Sequence, residues 1–365
     1  MDVLCLDAGS SSLKFAAYRA EVASGEPIRI AGGESTTAGN DADSALGVAL
    51  AQLSLEADDA VAVVGHRVVF GGPRYVGPTP AGDQVLRALE SLVAIEPLHL
   101  RLELDLVYAA KRRFPNAMHV LCFDTAFHRR APEIARRLPL PRDLDPLIQR
   151  YGFHGLSYEY IVSQLPGDAG KTIVAHLGSG ASLCALVDGE PIDTTMGFSA
   201  LGGLMMGTRP GDLDPGITLR LLGDGYDLAR LTELFYRRSG LLGVSGTTAD
   251  MKTLIERAPS DPRAREAVEL FEYQLIKGLG ALIAVLGGLR TLVFTGGIGE
   301  RAPTIRAAAS EALAYIGARL DDEANKKDAR VISLPESAVT IMAIPTDENL
   351  TIARHALRMS RDGKN

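Results

Sequence analysis

Apolar and polar positions follow two patterns along the chain, and these patterns predict strands and helices. Short apolar runs, such as VLCLD at 3–7, AVAVVGHRVVF at 60–70 and AMHVLCFD at 117–124, predict strands. Between them, residues 83–95 carry apolar side chains at positions 85, 86, 89, 92, 93 and 95, which is the spacing of one helical face. Strands that alternate with helices indicate an α/β fold.

A second series of strands and helices follows a proline-rich stretch at residues 129–146, which predicts a domain boundary. We therefore expect two related lobes: residues 1–128 with the C-terminal helix 350–365, and residues 129–349. The second series consists of KTIVAHLGSGASLCALVDG at 171–189, a long helix at about 262–288, RTLVFTGGIGE at 290–300, and a closing strand, turn and helix at 339–360.

Each series begins with a similar segment, VLCLDAGSSSLKFA at 3–16 and IVAHLGSGASLCAL at 173–186. Both predict a hairpin with a tight Gly-Ser turn, and this weak internal repeat indicates a duplicated architecture. Backbone N–H groups of such turns can approach a phosphate closely, and Asp7 beside the first turn offers a hard oxygen ligand to Mg²⁺. A plain polar hairpin turn is the alternative interpretation. No GxxxxGK[ST] loop occurs in the sequence.

The composition excludes several classes of protein. The length of 365 residues suggests two domains, and the net charge of −7 argues against nucleic acid or an anionic membrane surface as the main partner. No uncharged run in the sequence, 278–289 included, is long enough to span a bilayer, and the N-terminus shows no secretory signal pattern. Three cysteines without CxxC spacing indicate reduced thiols in a cytoplasmic protein.

Four further residues have ordinary structural interpretations when each is taken alone. Arg67 and Arg209 stand next to glycines, where surface ion pairs are common. Asp124 follows a predicted strand, where carboxylates often cap helices, and His154 in YGFHGLS is compatible with a structural role. The HxxxH and CxxH spacings of zinc sites are absent from the sequence.

Taken together, these segments resemble the acetate kinase family, within the sugar kinase, Hsp70 and actin superfamily. The motifs occur in the family's order from residue 3 to about residue 355: DAGSSSLKF, VGHRVVFGG, PLH, FDTAFH, YGFHGLS, AHLGSGAS, DTTMGF, GLMMGTRPGDLDPG, SGLLGVSG, LVFTGGIGE and IPTDEN. The resemblance implies a two-lobed, duplicated ribonuclease-H-like fold with an interlobe cleft, and a homodimer formed mainly through the second lobe. It also implies reversible phosphorylation of acetate, or of another short-chain carboxylate, to an acyl phosphate by direct in-line transfer from ATP, with Mg²⁺ or Mn²⁺ as cofactor.

The same resemblance implies roles for individual residues. Arg67 and Arg209 would bind the carboxylate and the transferring phosphoryl group, and His154 would donate to that group. Asp124 would orient an arginine and help organise the metal. The metal ligands would be Asp7 and Glu348. The acyl pocket would contain Arg67, Val69, Leu98, Phe153 and Ala200. The nucleotide site would contain Ser10, Ser12, Lys14, His176, Gly178, Ser179, Gly180, Asp250, Lys252, Gly296, Gly297, Ile298 and Gly299.

The sequence departs from the family's pattern at several positions. Asp7 and Ser179 stand where the family has asparagine, Phe70 where it has histidine, and Ala200 where it has proline. Loss of the proline would widen the acyl pocket by a methylene or two, which makes propionate or a functionalised acid an alternative substrate. Lys252 replaces an arginine and Asn349 a second glutamate.

A catalytically weak paralogue that binds nucleotide and acts as a regulator is the alternative from another class. A chaperone or filament-forming ATPase on the same fold is disfavoured, because it would have no reason to keep two arginines and a small apolar pocket.

Overall fold

The computed structural model describes residues 2–9, 12–20, 25–36, 41–53, 61–97, 99–144 and 147–362. The chain forms two compact units. The first contains Met1–Arg129, Phe153–Tyr160 and Asp347–Asn365, and the second contains Arg130–Gly152 and Ile161–Thr346. The first unit thus includes Phe153–Tyr160, a segment that lies within the 129–349 lobe of the sequence analysis.

Eleven strands are found in the described part of the chain. They are β1 (Asp2–Ala8), β2 (Ser12–Ala20), β3 (Pro27–Thr36), β4 (Val61–Val68), β5 (Thr79–Pro80), β6 (Met118–Phe123), β7 (Lys171–Leu177), β8 (Ala181–Val187), β9 (Glu190–Thr194), β10 (Thr291–Thr295) and β11 (Thr340–Ala343).

The helices of the same residues are α1 (Ala42–Leu53), α2 (Asp83–Glu90), α3 (Leu100–Arg113), α4 (Glu133–Arg136), α5 (Gly155–Gln164), α6 (Pro215–Gly223), α7 (Leu228–Arg237), α8 (Gly240–Ser245), α9 (Met251–Arg257), α10 (Pro262–Leu286), α11 (Gly296–Arg301), α12 (Pro303–Ala312), α13 (Asp322–Lys326) and α14 (Glu348–Asp362). Nowhere in these ranges is a helix long and apolar enough to cross a membrane.

The two sheets repeat one topology. The first has the strand order β3-β2-β1-β4-β6-β5, and the second has the order β11-β10-β7-β8-β9. In each, an antiparallel meander of three strands (β1–β3 or β7–β9) is continued by two parallel strands, β4 and β6 or β10 and β11. The predicted α/β fold and both predicted hairpins are confirmed, and the matching order supports the predicted duplication.

The first sheet is covered on both faces, because alternate residues of a strand point to opposite sides. On one face, Leu4 and Leu6 of β1 belong to a buried cluster with α1 and α3. On the other face, Val3 and Cys5 belong to a cluster with Ile352 and Ala356 of α14. Asp7 continues the Val3 and Cys5 series, so it stands on the α14 side of the sheet.

The helix predicted at residues 83–95 is shorter in the structure. The helix α2 ends at Glu90, and the next residues form turns in which Leu92, Val93 and Ile95 each donate a backbone hydrogen bond three residues back. Turns of this kind repeat every three residues, so Leu92 and Val93 still pack against the cluster that contains Leu86 and Leu89. The apolar spacing alone cannot distinguish the two backbone forms.

The predicted helix at 262–288 is present as α10. Its first turn is capped by Asp261, whose Oδ1 accepts from the backbone N–H groups of Arg263 and Ala264 at 3.0 and 3.3 Å. It ends at Gly287, which adopts the left-handed conformation with φ 65°.

Candidate functional site

The carboxyl ends of three neighbouring strands bring one arginine and two aspartates together in the first unit. Arg67 directs Nη2 at Asp124 Oδ2 (2.7 Å) and Nη1 at Asp7 Oδ1 (3.3 Å). Its Nη1 also donates to the carbonyl of Ala8 at 3.2 Å, and its Nε lies 3.2 Å from Asp124 Oδ2. Only 11% of the Arg67 side chain and none of the Asp124 side chain is exposed. The guanidinium is therefore held as a fixed fork between two carboxylates.

The sheet explains why these residues meet. Strands β1, β4 and β6 are parallel neighbours, with Leu6 opposite His66 and Val68 opposite Phe123. Side chains at the carboxyl ends of adjacent parallel strands share one edge of the sheet, which is the usual place for ligand sites in α/β proteins. Asp124 extends β6 by one residue, because its N–H donates to the carbonyl of Val68 at 3.1 Å.

Glu348, the first residue of α14, adds a third carboxyl group to this charged environment. Burial raises the pKa of Glu348 to about 8, and the carboxylates of Asp7 and Asp124 act in the same direction, while Arg67 and Lys14 oppose them. Burial likewise raises the pKa of Asp124 against the opposing effect of Arg67. We call Asp7, Asp124 and Glu348 the carboxylate cluster.

The carboxylate cluster has the chemistry of a hard-cation site. Oxygen ligands such as carboxylates are the ones that Mg²⁺ prefers. Burial raises the pKa of Glu348 most, the neighbouring carboxylates add to it, and a bound cation would oppose both effects. Among the described residues, no group of three or more His, Cys, Asp or Glu side chains is arranged to hold a metal ion. Mg²⁺ commonly keeps several waters and takes one or two carboxylates from the protein, so two of these carboxylates would be enough for it.

The segment that follows Arg67 is fixed by two buried side chains that the sequence analysis did not select. Glu103 Oε2 accepts from the N–H of Val69 at 2.8 Å, and Thr125 Oγ1 accepts from the N–H of Gly71 at 3.1 Å. Burial raises the pKa of Glu103 well above its usual value. A sequence signal existed, because Glu103 interrupts the otherwise apolar buried face of α3.

Phe70 lies between these two fixed amides and stacks on Phe153, with 6.3 Å between the ring centroids. Both rings are buried. The structure thus brings together Val69, Phe70 and Phe153, two of which the resemblance places in an acyl pocket.

His154 adopts a strained backbone conformation. Its φ of 58° lies in the left-handed region, which is uncommon for a residue other than glycine. The next residue, Gly155, packs so closely on the carbonyl of Asp124 that a Cβ atom there would collide with it. His128 Nε2 donates to the carbonyl of Phe153 at 2.9 Å, and burial lowers the pKa of His128 to about 4. These contacts hold the start of the Phe153–Tyr160 segment against the residues that follow β6.

The second unit contains a cavity of about 520 Å³ at the carboxyl ends of β7 and β10. Six residues that the sequence analysis assigned to the nucleotide site line it, namely Gly178, Ser179, Asp250, Lys252, Gly297 and Ile298. The sequence analysis missed the remaining lining residues, which are Ala249, Met251, Ile255, Glu256, Arg301, Ala302, Pro303 and Thr304.

The lining combines glycine turns, apolar side chains and charged side chains. Such a mixture suits a ligand with a flat apolar part and a polar or anionic part. Asp250 also caps α9, since its Oδ2 accepts from the Oγ1 of Thr253 at 2.6 Å and from the N–H of Thr253 at 2.8 Å, and these bonds lower the pKa of Asp250.

Four other predicted nucleotide-site residues lie beside the cavity and are not among the described residues that line it. The carbonyl of Gly180 closes the hairpin turn by accepting from the N–H of Gly178 at 2.8 Å. His176 is the second-last residue of β7 and pairs with Ser182 of β8. Gly296 has φ 76° and packs on the backbone of Leu177, where a Cβ atom would lie 2.7 Å from the carbonyl oxygen. Gly299 packs on Phe294 and Ala175. These glycines allow α11 to approach β7.

In the first hairpin, Ser12 begins β2 and its carbonyl accepts from the N–H of Gly9 at 2.7 Å. Lys14 lies opposite Asp7 in the ladder and is exposed. Ser10 and Leu98, which the sequence analysis placed in the nucleotide site and the acyl pocket, lie outside the described residues.

Arg209 is buried in the second unit, and its Nη1 donates to the carbonyl of Ala200 at 2.8 Å. The structure therefore joins the second predicted arginine to the residue that replaces the family's proline. The loop itself is closed by a hydrogen bond from the N–H of Met206 to the carbonyl of Arg209 at 3.0 Å.

Solved kinases share this arrangement of two similar sheets. A propionate kinase from Francisella tularensis subsp. tularensis SCHU S4 matches with a TM-score of 0.88 and 31% identity, over 98% of this chain and 99% of its own. An acetate kinase from Porphyromonas gingivalis matches with a TM-score of 0.84 and 31% identity over the same shares. The fold is thus that of the acetate and propionate kinases.

An acetate kinase of Rhodopseudomonas palustris (strain TIE-1) is 43% identical to the chain over 99% of both sequences. The sequence profile of the acetokinase family matches residues 2–354. The chain belongs to the acetokinase family.

Proposed function

We propose that the protein is a kinase that transfers a phosphoryl group between ATP and a short-chain carboxylate, with acetate as the first candidate, to give an acyl phosphate and ADP reversibly. The observation that supports this most directly is a buried arginine fork, Arg67, held beside a carboxylate cluster in a chain that matches acetate kinases over its whole length. Phosphoryl transfer asks the protein mainly for positioning and charge neutralisation.

In this proposal, the two arginines offset the repulsion between two anions. Acetate and the terminal phosphate of ATP are both negatively charged, and a guanidinium binds either of them through two parallel hydrogen bonds. Arg67 is held in place by Asp124, so little reorganisation is needed when charge develops. The nucleophilic carboxylate is already ionised at neutral pH, so no general base is required.

The remaining roles follow the same chemistry. His154, in its strained conformation, would donate a hydrogen bond to the transferring group. Val69, Phe153 and Ala200 would contact the methyl end of the acid, and the cavity of the second unit would bind the nucleoside.

Mg²⁺, with Mn²⁺ as a substitute, would be held by Asp7 and Glu348 and would neutralise phosphate charge when bound. The substitution Glu348→Gln should then raise the Mg²⁺ concentration needed for half-maximal activity. The exposed Glu336 provides a matched control, because Glu336→Gln makes the same chemical change away from the cluster. Equal Mg²⁺ requirements in the two variants would remove Glu348 from the metal site.

The alternative substrate is propionate or a functionalised short acid, which Ala200 favours and with which the propionate kinase neighbour is compatible. The second alternative is a regulator that binds nucleotide without turnover.

One experiment separates these proposals. Purified protein is given Mg-ATP with acetate, propionate, butyrate or a functionalised short acid, and acyl phosphate is trapped with hydroxylamine. Product with acetate supports the main proposal, and the order of rates among the acids indicates the size of the acyl pocket. Absence of product with every acid, despite measurable ATP binding, would contradict it in favour of the regulator.

We also propose a homodimer that forms through the second unit. Helix α6 has no buried residue, and it exposes Ile217, Leu219 and Leu222, with 70% of Leu219 accessible. Several exposed apolar side chains on one short helix are typical of a surface that a second copy covers. Leu219→Glu should shift the sedimenting species from dimer to monomer, whereas Ile134→Glu, at another exposed apolar residue of the same unit, should not.

A further inference from the structure

The carboxylate of Glu300 joins two backbone segments of the second unit. Its Oε1 accepts from the N–H of Gly296 at 3.1 Å and from the N–H of Thr346 at 3.1 Å. Gly296 begins α11, which supplies part of the wall of the 520 Å³ cavity. Thr346 is the last residue of the second unit, and the chain passes into the first unit at Asp347. Neither the motifs of the sequence nor the proposed chemistry gives Glu300 a role.

Helix α11 is anchored at its C-terminal end by a buried arginine. On the side away from Gly296, the fully buried Arg306 donates from Nη1 to the carbonyls of Gly299 and Glu300 at 2.9 and 2.7 Å. Arg306 is itself fixed by Asn325, whose Oδ1 accepts from Nε at 2.7 Å. Arg306 therefore fixes the C-terminal end of α11, and the Glu300 carboxylate links its first residue to Thr346.

We propose that Glu300 is a positioning residue that couples occupancy of the nucleotide cavity to the chain segment Thr346–Glu348. The inference rests on the proposed nucleotide site. A nucleotide that contacts Gly297 and Ile298 restrains α11, and the Glu300 carboxylate carries this restraint to Thr346. Glu348, which we assign to the metal, follows two residues later in the chain. Nucleotide binding thereby orders the start of α14.

Charge makes Glu300 suited to this task. A carboxylate that accepts from backbone N–H groups forms charge-assisted hydrogen bonds, which are stronger than neutral ones. One oxygen accepts from both N–H groups, so the Glu300 carboxylate bridges the two backbone segments. If Glu300 had only a structural role, it would hold both segments equally with and without nucleotide. If it couples the two segments, the segment at Thr346 should become more protected when nucleotide binds.

Hydrogen exchange of the full-length protein, with and without Mg-ADP, measures that response. In the wild type, ADP should slow exchange in the peptide 344–350 about tenfold, an effect equivalent to one charge-assisted hydrogen bond. In Glu300→Ala, saturating ADP should still slow exchange at 296–301 but no longer at 344–350, and kcat should fall with ATP saturating. Glu300→Gln keeps an acceptor oxygen and should restore most of both effects.

Arg301→Ala is the matched control, because Arg301 lines the same cavity but its neighbour Glu300 makes the bond to Thr346. It should weaken ADP binding and still show the response at 344–350 when ADP is saturating. If Glu300→Ala does not fold, Glu300→Asp replaces it, since the shorter side chain cannot reach both N–H groups.

Persistence of the response in Glu300→Ala or Glu300→Asp would overturn the inference, as would its absence from a wild type that binds ADP. Failure of the wild type to bind ADP would be a different result, because it would overturn the proposed nucleotide site itself.

Discussion

Arg67 and Asp124 form a buried ion pair in which Nη2 and Oδ2 are 2.7 Å apart and the aspartate has no exposed surface. This pair links structure and chemistry at one position, because the guanidinium that we assign to substrate binding also neutralises a buried carboxylate. Arg209 of the second unit donates to the carbonyl of Ala200. Removal of each arginine tests its part in the reaction.

Arg67→Ala should lower both turnover and stability. Leaving Asp124 buried without its cation costs about 3–5 kcal/mol, and a single transferring-group arginine is worth about 10³–10⁵ in rate. Arg209→Ala should reduce turnover by orders of magnitude with a nearly unchanged melting temperature. Steady-state kinetics and calorimetry of both variants test this. An unaltered rate in Arg209→Ala would remove Arg209 from the mechanism.

Gly155→Ala should destabilise the first unit and reduce activity, because the new Cβ collides with the carbonyl of Asp124. Gly47 provides the control, since it lies inside α1 with open space around the position of a Cβ atom. Gly47→Ala should stabilise by about 0.5–1 kcal/mol through helix propensity. Thermal unfolding of both variants gives the comparison, and equal shifts would argue against close packing at Gly155.

Ala200→Pro should shift preference toward acetate. The proline adds bulk at a buried position of the proposed acyl pocket and leaves the carbonyl that accepts from Arg209 in place. Each methylene excluded from a pocket corresponds to about 0.8 kcal/mol, or about fourfold in kcat/KM. The acetate-to-propionate ratio of kcat/KM measures the effect, and a constant ratio would exclude Ala200 from the pocket.

Stability should fall as the pH drops below about 6.5, and the buried pair His66 and His119 should contribute. Their ring nitrogens Nε2 and Nδ1 are 3.0 Å apart, and His119 Nε2 donates to the carbonyl of Phe114 at 3.0 Å. Burial lowers the pKa of both histidines. Below about pH 6.5, these histidines bind protons in the unfolded chain but stay neutral in the folded chain, so acid favours unfolding.

His66→Gln keeps a donor toward His119 but cannot titrate, so its melting temperature should depend less on pH. Between pH 7.5 and 5.5, the slope of the unfolding free energy against pH should decrease by about 0.7 kcal/mol per pH unit on average. Identical slopes in the wild type and the variant would show that His66 does not control acid stability.

The parts of the fold that local pattern determines could be predicted from the sequence. The apolar runs around Asp7 and His176 predict both hairpins, whereas Arg67 and Asp124 were selected only through the resemblance to a family. The end of α2 at Glu90 could not be predicted, because Leu92 and Val93 satisfy the same apolar spacing in turns.

Glu103, Thr125 and Glu300 were missed for another reason. Each acts on a backbone N–H group that is distant in the sequence or hidden in a turn, and no side-chain motif records such a partner. Of the three, only Glu103 has a signal in the sequence, because it is an acidic residue on an otherwise apolar helical face.

The repeated order of the two sheets has an evolutionary consequence. Counted back from the last pair of each hairpin, Ala8 with Leu13 and Leu177 with Ala181, Asp7 and His176 occupy the same position in the two copies. An ancestral gene copy would have supplied two identical hairpins, and one now ends in an acid while the other ends in an imidazole. The two hairpins therefore keep one inherited shape and offer different chemistry at an equivalent position of the ladder.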